Sequence, residues 1–177
     1  MEERIKILSA ELGHILRSNS LEICTAESCT AGGIGNAIAA TSGASEYLCG
    51  GVITYAVEAK EKLLGVEELT ICKNNVVSSN VALEMALGAI KLFSADIAVS
   101  VTGLAGPNDV DGMPAGTIYV CVALKSRPDL ANPDVINIRN LDLRSTDREV
   151  NIRTTIAEAL NMTILTIKQT FGEELNT

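Results

Sequence analysis

The sequence predicts an α/β protein in which helices cover both faces of a mixed, mostly parallel sheet, forming a three-layer α/β/α sandwich. Strand-like apolar segments alternate along the chain with amphipathic helical segments, as in folds built from β-α-β units. The predicted strands are apolar at nearly every position, which is typical of strands that are buried on both faces. With 177 residues, 47% of them hydrophobic, the chain is expected to form one domain over residues 1–177.

Hydrophobic periodicity and turn residues define the elements of the first half. Apolar residues at helical spacing predict an amphipathic helix over residues 2–18. A short apolar strand at 21–25 is followed by a polar loop and a helix at 32–40. Residues 49–56 are rich in β-branched and aromatic residues and predict a second strand. A short helix should follow and end at Gly65.

The second half is expected to contain another helix, three strands and a long closing helix. Ser78 or Ser79 can cap the N-terminus of a helix over 80–93, in which small residues would permit close packing and an inward apolar stripe ends at Leu92. The later elements are strands at 97–102, 116–124 and 135–141 and a helix from Thr146 or Asp147 to about Lys168, with Val150 expected to face inward. Because Arg127, Pro128, Asn132 and Pro133 separate two of these strands, we expect a hairpin-like connection and one antiparallel edge pair.

Composition excludes several classes of protein. The chain has 22 acidic and 14 basic residues, a net charge of −8 and no polybasic run, which argues against nucleic acid or an anionic membrane as a partner. No apolar run is long enough to span a bilayer. The five cysteines are scattered and lack C-x-x-C spacing, so we expect neither a disulfide framework nor a zinc site. These features predict a cytoplasmic protein without a metal or cofactor.

Three candidate nucleophiles lie close together in the first half of the chain. Ser28 can also cap a helix, Ser45 can also be a turn residue, and Cys29 can also be a small buried apolar residue. A serine needs a neighbouring base to take its proton. The only histidine, His14, lies on the opening helix, so a Ser-His-Asp triad is not favoured and lysine becomes the candidate base.

Lys60 is the best-placed lysine, because it follows the strand that leads into Tyr55 and begins a short helix. A lysine can act as a base only if burial or nearby positive charge lowers its pKa. The alternative is a surface lysine paired with Glu58 or Glu61.

Two glycine-containing loops are candidates for substrate binding. Residues 30–33 offer backbone amides at a helix start, which suits a phosphate, although a tight turn explains the same residues. Residues 102–107 could stabilise an oxyanion or hold a carboxamide. Asp109 and Asp111 are interpreted as solvated turn residues, because no third metal ligand accompanies them.

Five segments of the chain carry recognisable motifs. The segments are T-A-E-S-C-T-A-G-G at 25–33, S-G-A-S-E-Y-L at 42–48, V-I-T-Y-A-V-E-A-K-E-K-L-L-G-V at 52–66, A-D-I-A-V-S-V-T-G-L-A-G-P at 95–107 and G-T-I-Y-V at 116–120. Together they resemble the CinA C-terminal domain family, which includes the PncC type of nicotinamide mononucleotide deamidase. They occur in the family's order, and with the flanking helices they cover nearly the whole chain.

The resemblance implies hydrolysis of the carboxamide of nicotinamide mononucleotide by a serine and lysine pair without a metal. By position, Ser45 resembles the nucleophile, Lys60 the general base and Tyr55 the group that orients them, with Ser28 as a second candidate nucleophile. The implied substrate contacts are Glu27, Thr30, Gly32, Gly33, Thr102, Gly103 and Arg148.

The sequence departs from the family pattern in a short 108–115 loop and in Thr146, where a glycine is common. Both are expected to lie near the nucleotide. A competing hypothesis is an inactive nucleotide-binding or protein-interaction module of the same fold. An apolar face on the helix that ends at Phe93 could also form a homodimer contact.

Overall fold

The computed structural model describes residues 1–126 and 134–171, in which a five-stranded sheet lies between two layers of helices. The strands are β1 Ile23–Glu27, β2 Leu48–Ile53, β3 Ile97–Gly103, β4 Thr117–Leu124 and β5 Val135–Asp142. The helices are α1 Glu2–Ser18, α2 Gly33–Ala39, α3 Val57–Leu64, α4 Glu68–Asn74, α5 Ser79–Phe93 and α6 Arg148–Phe171, with a 3-10 turn at Ala44–Glu46. The predicted α/β/α class is confirmed.

The sheet has the strand order β2-β1-β3-β4-β5. β1 pairs in parallel with both β2 and β3, whereas β4 is antiparallel to both β3 and β5. Four strands therefore run in one direction and β4 runs against them. This gives two antiparallel pairings instead of the single edge pair that we predicted. The connection between β4 and β5 at residues 127–133 lies outside the described residues.

Alternation along the central strands builds a core on each face of the sheet. Ile23 and Ile97 belong to a large cluster with α1, α2 and α6. Cys24 and Ala98 point to the opposite face, into a smaller cluster with α3 and α5. These strands are buried on both faces, which accounts for their nearly continuous apolar sequence.

A capping serine and two glycines determine where helices α3 and α5 begin, end and pack. The Ser78 hydroxyl accepts a hydrogen bond from the Val81 amide and caps α5 as predicted, and Gly65 ends α3 in a left-handed conformation. A Cβ atom at position 88 would collide with the carbonyl oxygen of Leu64, so Gly88 lets α3 pack closely against α5. The predicted inward stripe of α5 is wrong at Leu92, which is exposed.

Candidate active site

Loops from four strands of the sheet meet at one edge. β1, β2, β3 and β5 run in the same direction, so the residues that follow them leave the sheet on the same side. Ser28 follows β1, Tyr55 and Lys60 follow β2, residues 104–108 follow β3, and Arg148 follows β5. Ligands of open α/β sheets collect at this edge.

The edge contains a cavity of about 370 Å³, which is within the size range of small-molecule sites. Its lining combines polar groups with an apolar wall of valine, leucine, alanine and proline side chains. The lining residues are Ser28, Cys29, Tyr55, Val57, Lys60, Val76, Val77, Thr102, Gly103, Leu104, Ala105, Gly106, Pro107, Asn108, Val110 and Arg148.

Lys60 and Ser28 contact each other at the base of this cavity. The Lys60 amine lies 3.1 Å from the Ser28 hydroxyl oxygen, 2.6 Å from the carbonyl oxygen of Thr54 and 3.3 Å from that of Tyr55. Lys60 is only 1% exposed, and these three partners are neutral. The alternative of a surface lysine paired with Glu58 or Glu61 is therefore wrong.

Burial determines the protonation of the groups around Ser28. It lowers the pKa of the Lys60 amine below its ordinary value, an effect that the neighbouring Cys29 thiol opposes. It also raises the pKa of Cys29 to about 12, against smaller effects from its own backbone amide and from Arg148. Cys29 is consequently a neutral thiol near pH 7, whereas the Lys60 amine loses its proton more readily than a solvated lysine does.

Ser45 lies at the opposite edge of the sheet. It is exposed in the turn that precedes β2, whereas Lys60 follows that strand. The two positions flank opposite ends of β2, whose six residues span roughly 17 Å as five steps of about 3.3 Å. The predicted contact of Ser45 with Lys60 is therefore wrong, and Ser28 occupies the place next to the amine.

Glu27 fills the helix start where the sequence suggested a phosphate. Its carboxylate accepts hydrogen bonds from the Thr30 hydroxyl at 2.6 Å and from the amides of Gly32, Ile34 and Gly35 at 2.8 to 3.0 Å. The Gly33 amide donates to the Thr30 carbonyl oxygen.

Glu27, Thr30, Gly32 and Gly33 are thus absent from the cavity wall. Their predicted substrate contacts are corrected to a structural role, because a buried carboxylate already takes the amides that a phosphate would use. These residues brace the turn that begins at Ser28.

Tyr55 and Arg148 meet at the mouth of the cavity. The Tyr55 phenol is exposed and accepts a hydrogen bond of 2.9 Å from the Arg148 guanidinium. The phenol does not orient Lys60 as predicted, since it is the backbone carbonyl of Tyr55 that reaches the amine. Arg148 also donates to the carbonyl oxygen of Gly106 at 3.1 Å. Both partners of Arg148 are neutral, so its positive charge is available to an anion.

The loop after β3 forms another part of the wall, and Gly103 is part of it. The Thr102 hydroxyl donates to the carbonyl oxygen of Val76 at 2.9 Å, which ties the segment before α5 to the sheet edge. From the short 108–115 loop, Asn108 and Val110 reach the cavity. Thr146 lines a separate hollow beside that loop.

Comparison with known proteins identifies the family. The model of the CinA C-terminal domain family matches residues 5–167. The chain belongs to the CinA C-terminal domain family. The same fold occurs in the solved structure of the competence/damage inducible protein CihA from Agrobacterium tumefaciens, with a TM-score of 0.86 and 29% sequence identity over 94% of this chain and 96% of that one.

Curated relatives of this CinA-family chain carry different names. A putative competence-damage inducible protein from Limosilactobacillus fermentum is 41% identical over 121 residues, which are 68% of this chain and 29% of that protein. The nicotinamide-nucleotide amidohydrolase PncC of Escherichia coli K12 is 39% identical over 117 residues, which are 66% of this chain and 71% of that protein. The match thus spans less than a third of the first relative and most of the second.

The described residues contain neither a metal-ligand cluster nor a helix that could span a membrane. Across residues 1–126 and 134–171, no three His, Cys, Asp or Glu side chains cluster in a way that could hold a metal ion. Within the same ranges, none of the helices has the length and apolar character needed to cross a membrane.

Proposed function

We propose that this protein hydrolyses the carboxamide of nicotinamide mononucleotide to give nicotinic acid mononucleotide and ammonia. The observation that carries the proposal is the contact between the buried Lys60 amine and the Ser28 hydroxyl in a cavity of nucleotide-compatible size. Similarity to a nicotinamide-nucleotide amidohydrolase supports the substrate class. Ser28 is the proposed nucleophile and Lys60 the proposed general base.

The surroundings of Lys60 suit a neutral amine that accepts a proton. A neutral amine has two N–H groups and one lone pair. The carbonyl oxygens of Thr54 and Tyr55 can accept the two hydrogens, which directs the lone pair at the Ser28 hydroxyl. Burial also lowers the pKa of this amine, so the neutral form costs less than for a solvated lysine.

The reaction then follows from the positions of these two groups. Lys60 takes the hydroxyl proton as the Ser28 oxygen forms a bond to the carboxamide carbon, and the carbonyl oxygen becomes an oxyanion. The Lys60 ammonium returns the proton to the amide nitrogen, the C–N bond breaks and ammonia leaves. Neutral Lys60 next activates a water that hydrolyses the ester on Ser28, releasing the carboxylate.

A backbone amide beside Ser28 is the proposed donor to the oxyanion. Cys29 follows the nucleophile directly, and its amide donates to no other residue in the described part of the chain. One such donor is typically worth about 2.7 to 4 kcal/mol of transition-state stabilisation. Arg148 is the proposed contact for the phosphate, because its guanidinium lies at the cavity mouth without a contacting carboxylate.

Ammonia release from nicotinamide mononucleotide tests the proposal. The wild-type protein should release one ammonia per nucleotide consumed, with or without a chelator. Ser28→Ala should lower kcat by at least about a thousandfold, as expected for loss of a nucleophile. Ser45→Ala is the matched control and should keep normal turnover, because that serine lies across the sheet. A folded Ser28→Ala protein with full turnover would refute the assignment, and a wild type without ammonia release would favour a binding module.

A further inference from the structure

A buried asparagine in the first turn of α6 holds two loops together. Asn151 is fully buried, and its side-chain amide donates to the carbonyl oxygens of Ala105 at 2.9 Å and Ser145 at 2.7 Å. Because both neighbours are carbonyl oxygens, they fix the nitrogen of the amide on this side. The backbone amide of Asn151 donates to Asp147, which anchors the same turn.

The two loops belong to the candidate active site and to the start of α6. Ala105 lies in the cavity wall, in the loop that follows β3. Its neighbour Gly106 accepts a hydrogen bond from Arg148, which lies three residues before Asn151 in the first turn of α6. Two consecutive carbonyl groups of the wall are therefore held by two side chains of the same helix turn.

Within the described part of the chain, hydrogen bonding uses only the nitrogen end of the Asn151 side chain. The side-chain oxygen of Asn151 is buried and has no hydrogen-bond partner among the described residues. An unsatisfied buried oxygen is unfavourable, whereas an apolar side chain of similar volume would avoid it. The two bonds from the amide nitrogen are the contacts that an apolar residue could not replace.

We propose that Asn151 is a positioning residue that holds residues 103–107 against α6 and thereby sets where Arg148 meets the phosphate of the substrate. This inference rests on the proposed function, because it assumes that Arg148 binds that phosphate. Asn151 touches neither Ser28 nor Lys60. Its loss should therefore weaken nucleotide binding and leave the chemical step largely intact.

Steady-state kinetics with nicotinamide mononucleotide separate these effects. Asn151→Leu is expected to raise KM about tenfold, the effect of losing hydrogen bonds that hold a binding group, with kcat within about threefold. Asn151→Ala removes the same donors without adding bulk or charge, so it provides a second test if the leucine variant folds poorly.

A double-mutant cycle links Asn151 to Arg148. If Asn151 acts through Arg148, the Asn151→Leu change should raise KM no further in an Arg148→Met background. Thr163→Val is the control, because this buried hydroxyl of α6 only donates to the carbonyl oxygen of Ala159 within the helix. Independent, multiplying effects on KM, or an unchanged KM in the Asn151 variants, would overturn the inference.

Hydrogen exchange distinguishes failure of this inference from failure of the proposed function. Amide exchange across residues 103–106 should rise about tenfold in Asn151→Leu relative to wild type, because a tether of this loop is lost. This readout needs no turnover. If the wild type releases no ammonia, the proposed function fails, and unchanged exchange in this loop would overturn the role of Asn151 separately.

Discussion

Replacing Lys60 with methionine should lower kcat by orders of magnitude without unfolding the protein. Methionine keeps a similar length and fills the same buried space, but it cannot take the proton of Ser28. General-base catalysis typically contributes about 10²- to 10⁴-fold, or about 2.7 to 5.4 kcal/mol of the barrier, so kcat should fall by that factor. Ammonia release under saturating nicotinamide mononucleotide measures it. Lys62→Met, an exposed position on the same helix, is the control and should stay active.

The same substitution should change how stability depends on pH. Burial lowers the folded-state pKa of Lys60 below its ordinary value of 10.5, so between those two pKa values the unfolded chain binds a proton that the folded chain does not. The contribution of Lys60 to wild-type stability should therefore rise with pH across that window, with a limiting slope of about 1.4 kcal/mol per pH unit.

Urea unfolding between pH 7 and 10 measures this slope. Lys60→Met should lack the Lys60 contribution to the rise, whereas Lys62→Met should retain it. Full turnover by Lys60→Met, or an unchanged stability slope, would refute the reasoning that a buried and easily neutralised amine activates Ser28.

Two further outcomes follow from the buried groups beside Ser28. Glu27→Gln should lower the free energy of unfolding by about 1.5 to 3 kcal/mol and reduce kcat, because it removes a charged acceptor from the Ser28 turn. Urea unfolding measures this loss of stability. The control is Glu158→Gln, which removes an ion pair near the surface and should cost under about 1 kcal/mol. Equal losses of stability in the two variants would contradict the prediction. Iodoacetamide at pH 8 should label the exposed Cys72 but not Cys29, because burial raises the pKa of Cys29 to about 12, and the protein should stay active. Peptide mass spectrometry identifies the labelled cysteines. Rapid inactivation together with labelling of Cys29 would contradict this prediction.

Much of the element order could be predicted because burial imposes a strong period on the sequence. The central strands are apolar on both faces, and the capping residues Ser78 and Gly65 mark helix ends that the structure also has. The short α4 at Glu68–Asn74 was missed because none of its residues is fully buried. Periodicity cannot reveal a helix that contributes little to the core.

The first turn of α6 shows how a small error in register hides a functional candidate. Helical spacing predicted that Val150 faces inward, but Val150 is half exposed and Asn151 is fully buried. A sequence pattern that assigns inward positions by hydrophobicity passes over a polar residue that is buried for its hydrogen bonds. Only the carbonyl groups of Ala105 and Ser145, which come from distant segments, explain its burial.

The role of Glu27 could not be predicted from the sequence. A carboxylate next to a serine in a glycine-rich segment looks the same in sequence whether it contacts substrate or caps its own helix. The structure distinguishes these roles, because the amides at the start of α2 converge on the carboxylate. The phosphate site suggested by residues 30–33 was therefore wrong, because the Glu27 carboxylate already accepts hydrogen bonds at this helix start.

Strand direction explains which of the two serines lies beside Lys60. Both occur in family-matching segments near Lys60 in sequence, so spacing alone left them open. Ser28 follows a strand and Ser45 precedes one, and in a set of strands that run the same way these positions lie at opposite edges of the sheet. Lys60 also follows a strand, so the Ser28 pairing was available from element order once each serine was assigned to a strand end. A nucleophile and its base must share an edge, and that geometric condition decides between candidates that sequence proximity cannot separate.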